Sequence, residues 1–544
     1  MITVISNIWL PCYWAAGIVA GLLLAARRLT HYFQLESYQF YGYFKTILRQ
    51  WKKALVPYAL MSVFTALLTC AFLFCVFQDH TATDTIGGIL LLLFPWCWLG
   101  AGFLIRRFAL RTKEKKKFVM TGRMKRLYIA LGLLCAAAAA AGVSLRSRVL
   151  FLYPCVLLPV LLPLLVPLAA LIALPIEKFI FSLYYHDAEK RLLENEKLIR
   201  VGITGSYGKT STKFVLDTLL SQKYNVLPTP ASFNTPMGVT RVVRERLTPA
   251  HQVFIGEMGA RHVGEIKELC GLVHPKIGIL TAVGPQHLDT FKTIERIEKT
   301  KYELIEALPD DGLAVFLHDD GIVTRLYEKT NKPKMLIGKE GGDAWATDVQ
   351  VSPAGSGFTL HLKGMEPFAC TTKLLGRHNI SNILTAAAVA QYLGLTKEQI
   401  QRGIGQLRPV EHRLQLLTGA GGVTVIDDAF NTNPRSSREA LRVLSSFPGR
   451  RVIVTPGMVE LGADEEKYNY EFGREMAACV DVAVLVGKKH TQPIRQGLTE
   501  AGFPAENIHV VSSLDEAIAF NRQQLRPGDV VMYENDLPDH YSEG

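Results

Sequence analysis

The chain has 544 residues, of which 49% are hydrophobic, and a formal net charge of +11 at pH 7. That length leaves room for about three domains of roughly 100–200 residues each. The positive charge does not indicate nucleic-acid binding, because it is clustered beside apolar runs and no base-stacking or groove-reading pattern accompanies it. The nine cysteines show neither zinc spacing nor a disulfide framework, so we expect the soluble part to lie in a reducing compartment.

Long apolar runs dominate the sequence up to about residue 174. A bilayer core of about 30 Å needs about 20 apolar helical residues. Several runs meet this requirement, and they cover residues 3–26, 55–77, 85–105, 127–143 and 149–174. The fourth is short and rich in alanine, and the prolines of the last are expected to kink it. We therefore predict a transmembrane region over residues 1–176 with about five helices.

The distribution of Lys and Arg predicts how this region is oriented. The segments 27–53 and 106–126 are rich in both residues, whereas residues 78–84 contain neither. Because basic loops stay in the cytoplasm, we expect the N-terminus outside and the C-terminal part inside. The following segment, 177–197, is amphipathic and is predicted to be a helix near the membrane surface or an ordinary linker helix.

After residue 198, short apolar runs alternate with helical patterns, which is typical of doubly wound parallel sheets. The predicted strands are in LIRVGITG, HQVFIGEMG, KIGILTAVG, GLAVFLHDD, GVTVIDDAF, RRVIVTPG, VAVLVG and IHVVSS. A break near Pro409 separates two α/β domains, 198–408 and 409–544. The alternating stretch 347–372 predicts a small antiparallel addition. The predicted fold class is thus a multi-span α-helical membrane region followed by two α/β domains.

The stretch TGSYGKTST follows the first of these strands and opens a helix. Backbone N–H groups of such a turn and of a helix N-terminus bind phosphate, with Lys209 reaching the outer phosphates and Thr210 the Mg²⁺ ion. The stretch departs from the plain eight-residue phosphate-loop pattern, because Gly202 stands one residue too early. The residues predicted to contact the nucleotide are Gly205, Ser206, Gly208, Lys209, Thr210 and Ser211.

Six further motifs follow this loop in a fixed order. They are EMGARHVGEI, AVGPQHLDTF, EKTKYE, GRHNISNILTAAAVA, EHRLQ and DDAFNTNPRS. Over residues 198–529 their order and spacing resemble the Mur ligase family, most of all its D-alanyl-D-alanine-adding branch. The resemblance implies a phosphate-loop central domain and a Rossmann-like C-terminal domain. It also implies an ATP-dependent ligase, in which ATP phosphorylates a carboxylate and an amine then attacks the acyl phosphate.

The resemblance implies that four residues are metal ligands. Transfer of the γ-phosphate to a carboxylate requires charge neutralisation, which metal ions supply. Thr210, Glu257 and His287 match the family's ligands for two Mg²⁺ ions, and Lys301 matches the lysine that the family carbamylates. Lys299, two residues earlier on the same predicted helix, is the alternative. Taken singly, each of these residues is more typical of a solvated surface or a local hydrogen bond.

Further residues match other parts of the family's site. The resemblance gives Lys209, Asn234, His287 and Lys301 catalytic roles, with Asn234 near the γ-phosphate and the acceptor carboxylate. Asn379 and Asn382 match the family's contacts on the adenine side. The alternative is that the His-Asn pair at residues 378–379 simply caps a helix. Arg413 and Asp428 match the C-terminal domain's contacts to phosphate and ribose.

Three departures from the family leave the substrates open. The membrane region stands where the family has a domain for the UDP-sugar, Gly457 stands where an aspartate is usual, and the chain ends in YENDLPDHYSEG. The predicted function is a membrane-anchored ligase of peptidoglycan precursor synthesis in the bacterial cell membrane, with its catalytic domains in the cytoplasm. The alternatives are a ligase for another envelope polymer, such as a polyglutamate-type chain, and an ATP-driven transporter or scaffold.

The predicted partners follow from that function. They are the lipid bilayer, a lipid-linked or UDP-linked carboxylate acceptor, and an amino acid or dipeptide; nucleic acid is not among them. The membrane region is either a plain anchor or part of the acceptor site.

Overall fold

The computed structural model describes residues 2–77, 81–110, 117–144, 152–230, 233–319, 321–430 and 432–537. The chain divides into two compact units, 1–182 and 183–544. The predicted external loop 78–84 and the basic loop 106–126 lie partly outside the described residues, and so does the C-terminal sequence from residue 538.

Among its described residues, the first unit has helices joined by short turns and no strand. Its helices are α1 (Ile2–Ala25), α2 (Arg27–Leu35), α3 (Phe40–Arg49), α4 (Trp51–Phe77), α5 (Thr81–Leu110), α6 (Gly122–Ser144) and the first part of α7 (Leu152–Glu194). Among the described residues, Trp51–Ala71, Gly122–Ala141 and Val156–Glu194 are long and apolar enough to cross a membrane. Cys12–Ala25 with Arg27–Leu35, bent by 43°, would add a fourth span. The predicted count of about five spans stays a prediction.

Glycines let α1 and α5 approach closely. A Cβ at Gly17 would overlap Pro95, one at Gly21 would overlap the carbonyl of Trp98, and one at Gly102 would overlap the carbonyl of Gly21. Small residues at such spacing are typical of helices that pack in membranes.

Helix α7 runs through four prolines and continues past residue 176, where we predicted the transmembrane region to end. Each proline leaves the carbonyl four residues earlier without its helical donor. For Pro167 that carbonyl belongs to Pro163, and it accepts a hydrogen bond from the Tyr43 hydroxyl at 2.8 Å. In α4, Pro57 leaves the carbonyl of Lys53 without its helical donor. Arg28 of α2 donates a hydrogen bond to that carbonyl at 3.2 Å. Neighbouring side chains therefore allow these helices to continue through their prolines.

The second unit begins with a nine-stranded sheet in the order β2-β3-β1-β4-β5-β6-β7-β8-β9. Its strands are β1 (Ile199–Thr204), β2 (Val226–Pro228), β3 (Val253–Glu257), β4 (Ile277–Leu280), β5 (Leu313–Leu317), β6 (Lys334–Ile337), β7 (Ala344–Ser352), β8 (Gly355–Leu362) and β9 (Met365–Thr372). Strands β1 to β7 pair in parallel, and β7 to β9 are antiparallel. The predicted antiparallel addition is therefore confirmed.

Helices cover both faces of this sheet. They are α8 (Lys209–Leu220), α9 (Pro236–Arg246), α10 (Glu265–Val273), α11 (Leu288–Phe291), α12 (Ile294–Glu306), α13 (Ile322–Lys329), α14 (Arg377–Tyr392) and α15 (Lys397–Gly405). The central strands are buried on both faces, between one apolar cluster that includes α8, α14 and α15 and another that includes α9, α10 and α12. This arrangement explains why these strands read as continuous apolar runs.

The second sheet has six strands in the order β10-β11-β15-β12-β13-β14, all parallel except β10. Its strands are β10 (Gln415–Thr418), β11 (Thr424–Asp428), β12 (Arg451–Thr455), β13 (Val482–Val486), β14 (Ile508–Val511) and β15 (Val530–Glu534). Its helices are α16 (Pro434–Ser445), α17 (Glu465–Met476), α18 (Gln492–Glu500) and α19 (Leu514–Gln524). All eight predicted strands are present, whereas β2, β6, β10 and the central β15 were not predicted.

Candidate active site

The turn between β1 and α8 depends on two glycines with positive φ. Gly205 has φ of 150°, and a Cβ there would overlap Thr281 Oγ1. Gly208 has φ of 78°, and a Cβ there would lie 3.0 Å from Asn382 Oδ1. Side chains are thereby kept out of the turn, so that its backbone N–H groups and the N-terminus of α8 can approach an anion closely.

Lys209 folds back onto this turn. Its Nζ donates to the carbonyl oxygens of Gly205 at 2.6 Å and Ser206 at 3.4 Å. Burial lowers the pKa of Lys209 to about 8, against the opposing charge of Glu257. The hydroxyl of Ser206 donates to the Gly284 carbonyl at 2.9 Å, so this predicted nucleotide contact fixes the loop.

Glu257, at the end of β3, is the centre of a buried polar cluster. Its Oε1 accepts from Thr210 Oγ1 at 3.1 Å and from Asn234 Nδ2 at 3.2 Å, and its Oε2 accepts from Lys213 Nζ at 2.8 Å. Burial favours the neutral acid, but the charges of Lys213 and Lys209 outweigh it and lower the pKa of Glu257. The carboxylate is therefore ionised at neutral pH.

Lys213 was missed by the sequence analysis. It stands one helical turn after Lys209 and is fully buried together with Glu257. The usable signal was that Lys213 falls on the same helical face as the apolar residues Leu216 and Leu220, in the helix that follows a phosphate loop. A buried charge requires a partner, and the carboxylate at the end of β3 supplies it.

The donor set fits Mg²⁺ at one position. A hydroxyl and an ionised carboxylate converge at Thr210 and Glu257, and Mg²⁺ prefers oxygen ligands, usually one or two carboxylates together with substrate phosphates. Within the described residues no group of three or more His, Cys, Asp or Glu side chains could hold a metal ion.

The charges of Lys209 and Glu257 act on Lys301, and the charge of Lys301 acts on His287, so both residues lie near this cluster. His287 Nδ1 lies 2.6 Å from Glu460 Oε2, and burial lowers the pKa of His287 although Glu460 opposes the shift. Lys301 is 2% exposed, and burial and the charge of Lys209 lower its pKa to about 7. Lys299, the alternative lysine, is exposed. The structure therefore brings Lys301, and not Lys299, towards the predicted site.

A cavity of about 660 Å³ lies between the two α/β domains. Seven predicted residues line it: Gly208, Thr210, Ser211, Asn379, Asn382, Arg413 and Asp428. It is also lined by residues that the sequence analysis did not identify, among them Phe214, His318, Asp319, His378, Phe430 and Arg435. Asn234, Glu257, His287 and Lys301 are not in its lining, so the predicted site consists of this cavity and the adjoining buried cluster.

The cavity walls are fixed by their own hydrogen bonds. Asn382 Oδ1 accepts from Thr212 Oγ1 at 3.0 Å, and its Nδ2 donates to Asn379 Oδ1 at 3.1 Å. On the C-terminal side, the Arg413 guanidinium carbon lies 4.2 Å from the centre of the Phe430 ring. Burial raises the pKa of Asp428 to about 8, although Arg413 opposes the shift.

Comparison with known proteins identifies the two α/β domains. Residues 203–390 match the Mur ligase middle domain, and residues 412–533 match the Mur ligase glutamate ligase domain. The UDP-N-acetylmuramoyl-tripeptide--D-alanyl-D-alanine ligase of Mycobacterium tuberculosis is 36% identical over 355 residues, which are 61% of this chain and 69% of that protein. The chain belongs to the Mur ligase family. It is an ATP-dependent ligase that forms amide bonds, as predicted.

Solved structures agree with this assignment. A MurF structure from Acinetobacter baumannii superposes with a TM-score of 0.61 at 28% identity, covering 67% of this chain and 79% of that one. The MurF ligase of Thermotoga maritima in complex with ADP gives 0.60 at 25% identity, covering 67% and 82%. The predicted α/β fold and the use of ATP are thereby confirmed for this Mur ligase. The roles of the individual site residues stay predictions.

Proposed function

We propose that this Mur ligase is anchored in the bacterial cell membrane and joins D-alanyl-D-alanine to the carboxylate of a peptidoglycan precursor peptide. The observation that carries the proposal is the 36% identity with a ligase of that activity. The predicted site residues of both domains also meet around one cavity and one buried cluster. Family membership favours a ligase over the transporter or scaffold alternative.

The nucleotide would bind in the cavity, with its phosphates on the turn before α8. The ammonium group of Lys209 donates hydrogen bonds to carbonyl oxygens, which are weaker acceptors than phosphate. When ATP binds, this ammonium group would donate to the outer phosphates instead. Asn379 and Asn382 would face the adenine, and Arg413 and Asp428 would face phosphate and ribose.

Thr210 and Glu257 would hold Mg²⁺, which neutralises charge on the phosphates during transfer. Asn234 is bonded to Glu257 and would therefore stand beside the acceptor carboxylate and the γ-phosphate. Lys301, with a pKa near 7, is partly neutral at physiological pH and can take up CO₂ as a carbamate. A carbamate would replace a buried cation by an anion, which supplies a ligand for a second Mg²⁺ near His287.

The membrane anchor is proposed from the first unit. Its candidate spans expose large apolar side chains along their length, with Leu60, Leu67, Ile129, Leu133 and Phe179 all more than half exposed. Exposed apolar side chains thus recur on each of the three candidate spans, and lipid would cover them. The basic residues between the candidate spans favour a cytoplasmic position for the ligase domains, where ATP is available.

We further propose that the acceptor reaches the site from the membrane as a lipid-linked precursor. Confinement to one bilayer raises the effective concentration of an acceptor without new contacts. The alternative is a UDP-linked peptide held by the loops of the two α/β domains, with the helical unit as a plain anchor.

Purified full-length protein in lipid nanodiscs would be incubated with ATP, Mg²⁺, D-alanyl-D-alanine and either a UDP-linked or a lipid-linked tripeptide. ADP release and product mass are measured, with L-glutamate as the competing amine and Lys209→Ala as the inactive control. We expect a product heavier by one dipeptide. Serial addition of glutamate without dipeptide addition would instead show the polyglutamate-type alternative.

A variant that begins at residue 183 tests the role of the membrane unit. We expect it to bind ATP normally and to lose most of its activity on the lipid-linked acceptor. If truncation leaves the ligation rate of a UDP-linked acceptor equal to that of the full chain, the first unit is a plain anchor.

A further inference from the structure

Glu460 belongs to the C-terminal domain, but its carboxylate contacts the middle domain. Its Oε2 lies 2.6 Å from His287 Nδ1, and its Oε1 lies 3.4 Å from the Arg261 guanidinium. The side chains of His287 and Glu460 are only 16% and 15% exposed. The contact is thus short, largely shielded from solvent, and made between two domains that can form it only when they are together.

The backbone at both ends of this contact is unusual. His287 has φ of 52° and Glu460 has φ of 65°, values that residues other than glycine rarely adopt. Such conformations are strained and persist only where the surroundings enforce them, often at functional sites. The Glu460 loop also packs on α11, since a Cβ at Gly462 would lie 3.5 Å from Leu288. Two uncommon backbone conformations therefore bring this histidine and this carboxylate together.

The contact decides which nitrogen of His287 carries the proton. An ionised carboxylate can only accept, so Nδ1 must donate, and in the neutral ring the lone pair is left on Nε2. The charges that act on His287 are those of Glu460, Arg261 and Lys301, so the ring lies within the charged cluster of the site. Proteins commonly orient a histidine that binds a metal ion, or accepts a proton, through a carboxylate bonded to its other ring nitrogen.

We propose that Glu460 is a positioning residue that holds His287 as the Nδ1-protonated tautomer and thereby couples domain closure to completion of the active site. On this view, Nε2 of His287 becomes available as a donor of its lone pair in a fixed orientation only while the C-terminal domain is docked. The inference rests on the proposed function for the identity of the substrates, but not for the tautomer.

Arg261 provides the matched control. It contacts the other oxygen of the same carboxylate, at 3.4 Å, and its side chain is 60% exposed. If Glu460 merely ties the domains together, its loss should matter as much without the His287 ring as with it. If Glu460 acts through His287, only the loss of Glu460 should matter strongly.

The first test is a double-mutant cycle on kcat/KM. We expect Glu460→Ala to lower it roughly 10–100-fold, as is usual for the partner of a functional histidine, and Arg261→Met to change it less than about threefold. In the background of His287→Ala, adding Glu460→Ala should have almost no further effect, because residues that act as a unit are not additive. Equal effects of Glu460→Ala and Arg261→Met, or a full effect of Glu460→Ala without His287, would overturn the proposal.

The second test needs no substrate. Nitrogen-15 NMR of histidine-labelled protein reports the tautomer of His287, with His287→Ala giving the assignment and thermal melting verifying that Glu460→Gln and Glu460→Ala are folded. We expect Nδ1 protonation in the wild type and its loss in Glu460→Ala. An unchanged tautomer would overturn the proposal. If the wild type shows the tautomer but ligates none of the tested pairs, the proposed function fails and the role of Glu460 stands.

Discussion

Replacing Lys301 by methionine should stabilise the protein at neutral pH and remove a pH dependence of its stability. The folded state lowers the pKa of this lysine from 10.5 to about 7, first through burial and then through the charge of Lys209. Between those pH values the unfolded chain binds up to one proton more than the folded chain. The free energy of unfolding of the wild type therefore rises with pH, by up to about 1.4 kcal/mol for each pH unit.

The size of the effect follows from the same two pKa values. At pH 7 and below, burial of Lys301 costs the wild type on the order of 5 kcal/mol, and near pH 10.5 the cost disappears. The methionine variant avoids this cost at every pH. Its advantage over the wild type should therefore be largest near pH 7 and should shrink steadily towards pH 10.

Pulse proteolysis in urea measures the difference in the free energy of unfolding between the wild type and Lys301→Met. The full chain is used in detergent and CO₂-free buffer, and the readout is the amount of fragments from residues 183–544. Lys299→Met is the matched control, because Lys299 lies on the same helix but is exposed. Adding bicarbonate and Mg²⁺ should stabilise the wild type and leave Lys301→Met unchanged, since only the lysine forms a carbamate. A stability gap that does not vary between pH 7 and 10, or one that Lys299→Met reproduces, would refute the reasoning.

Three further predictions concern other parts of the chain. Lys209→Ala should abolish ATP-dependent ligation while the melting temperature changes little, as measured by ADP release; normal turnover would refute the assignment of the phosphate loop. Gly205→Ala should lower the free energy of unfolding, measured in urea, by more than about 2 kcal/mol, because its Cβ would overlap Thr281 Oγ1. Gly341 also has a positive φ but faces open space, so Gly341→Ala should lower it by only about 1 kcal/mol. A cysteine introduced within residues 78–84 should be labelled from outside the cell and Cys479 should not; the opposite pattern would reverse the predicted orientation.

The sequence predicted the parallel sheets well because their strands are buried on both faces and therefore read as apolar runs. It did not predict β15, although Val530–Glu534 is an apolar run like the others, nor the place of this strand between β11 and β12. Pairing between strands so distant in sequence leaves no local pattern. The prolines of α7 likewise suggested a kink, and the hydrogen bond from Tyr43 that satisfies the helix comes from 120 residues away.

The phosphate turn could be predicted because its geometry is encoded within one short stretch of residues. Lys213 and Glu460 could not be identified in the same way. A lysine on a helix and a glutamate in a loop are usually solvated, and their roles appear only when Glu257 and His287 are placed against them. The partners of Glu460 lie 173 and 199 residues away in sequence.

Lys209, which is half-buried, and Lys301, which is buried, belong to one polar site but have opposite proposed tasks. Lys209 must be a cation to hold phosphate, whereas Lys301 must be a neutral amine to take up CO₂. Burial lowers both pKa values, to about 8 for Lys209 and about 7 for Lys301, and the charge of Lys209 is the next largest cause of the shift at Lys301. Glu257 stabilises the charged form of Lys209, where its effect on the pKa is second only to burial. Its effect on the pKa of Lys301 is smaller than those of Lys209, Glu265 and Glu303. The charge of Lys209 therefore opposes protonation of Lys301. Groups whose surroundings separate their pKa values can divide charge-binding and nucleophilic roles between them. On the proposed function, the same polar cluster would leave Lys209 to hold the phosphates of ATP and Lys301 to form the carbamate.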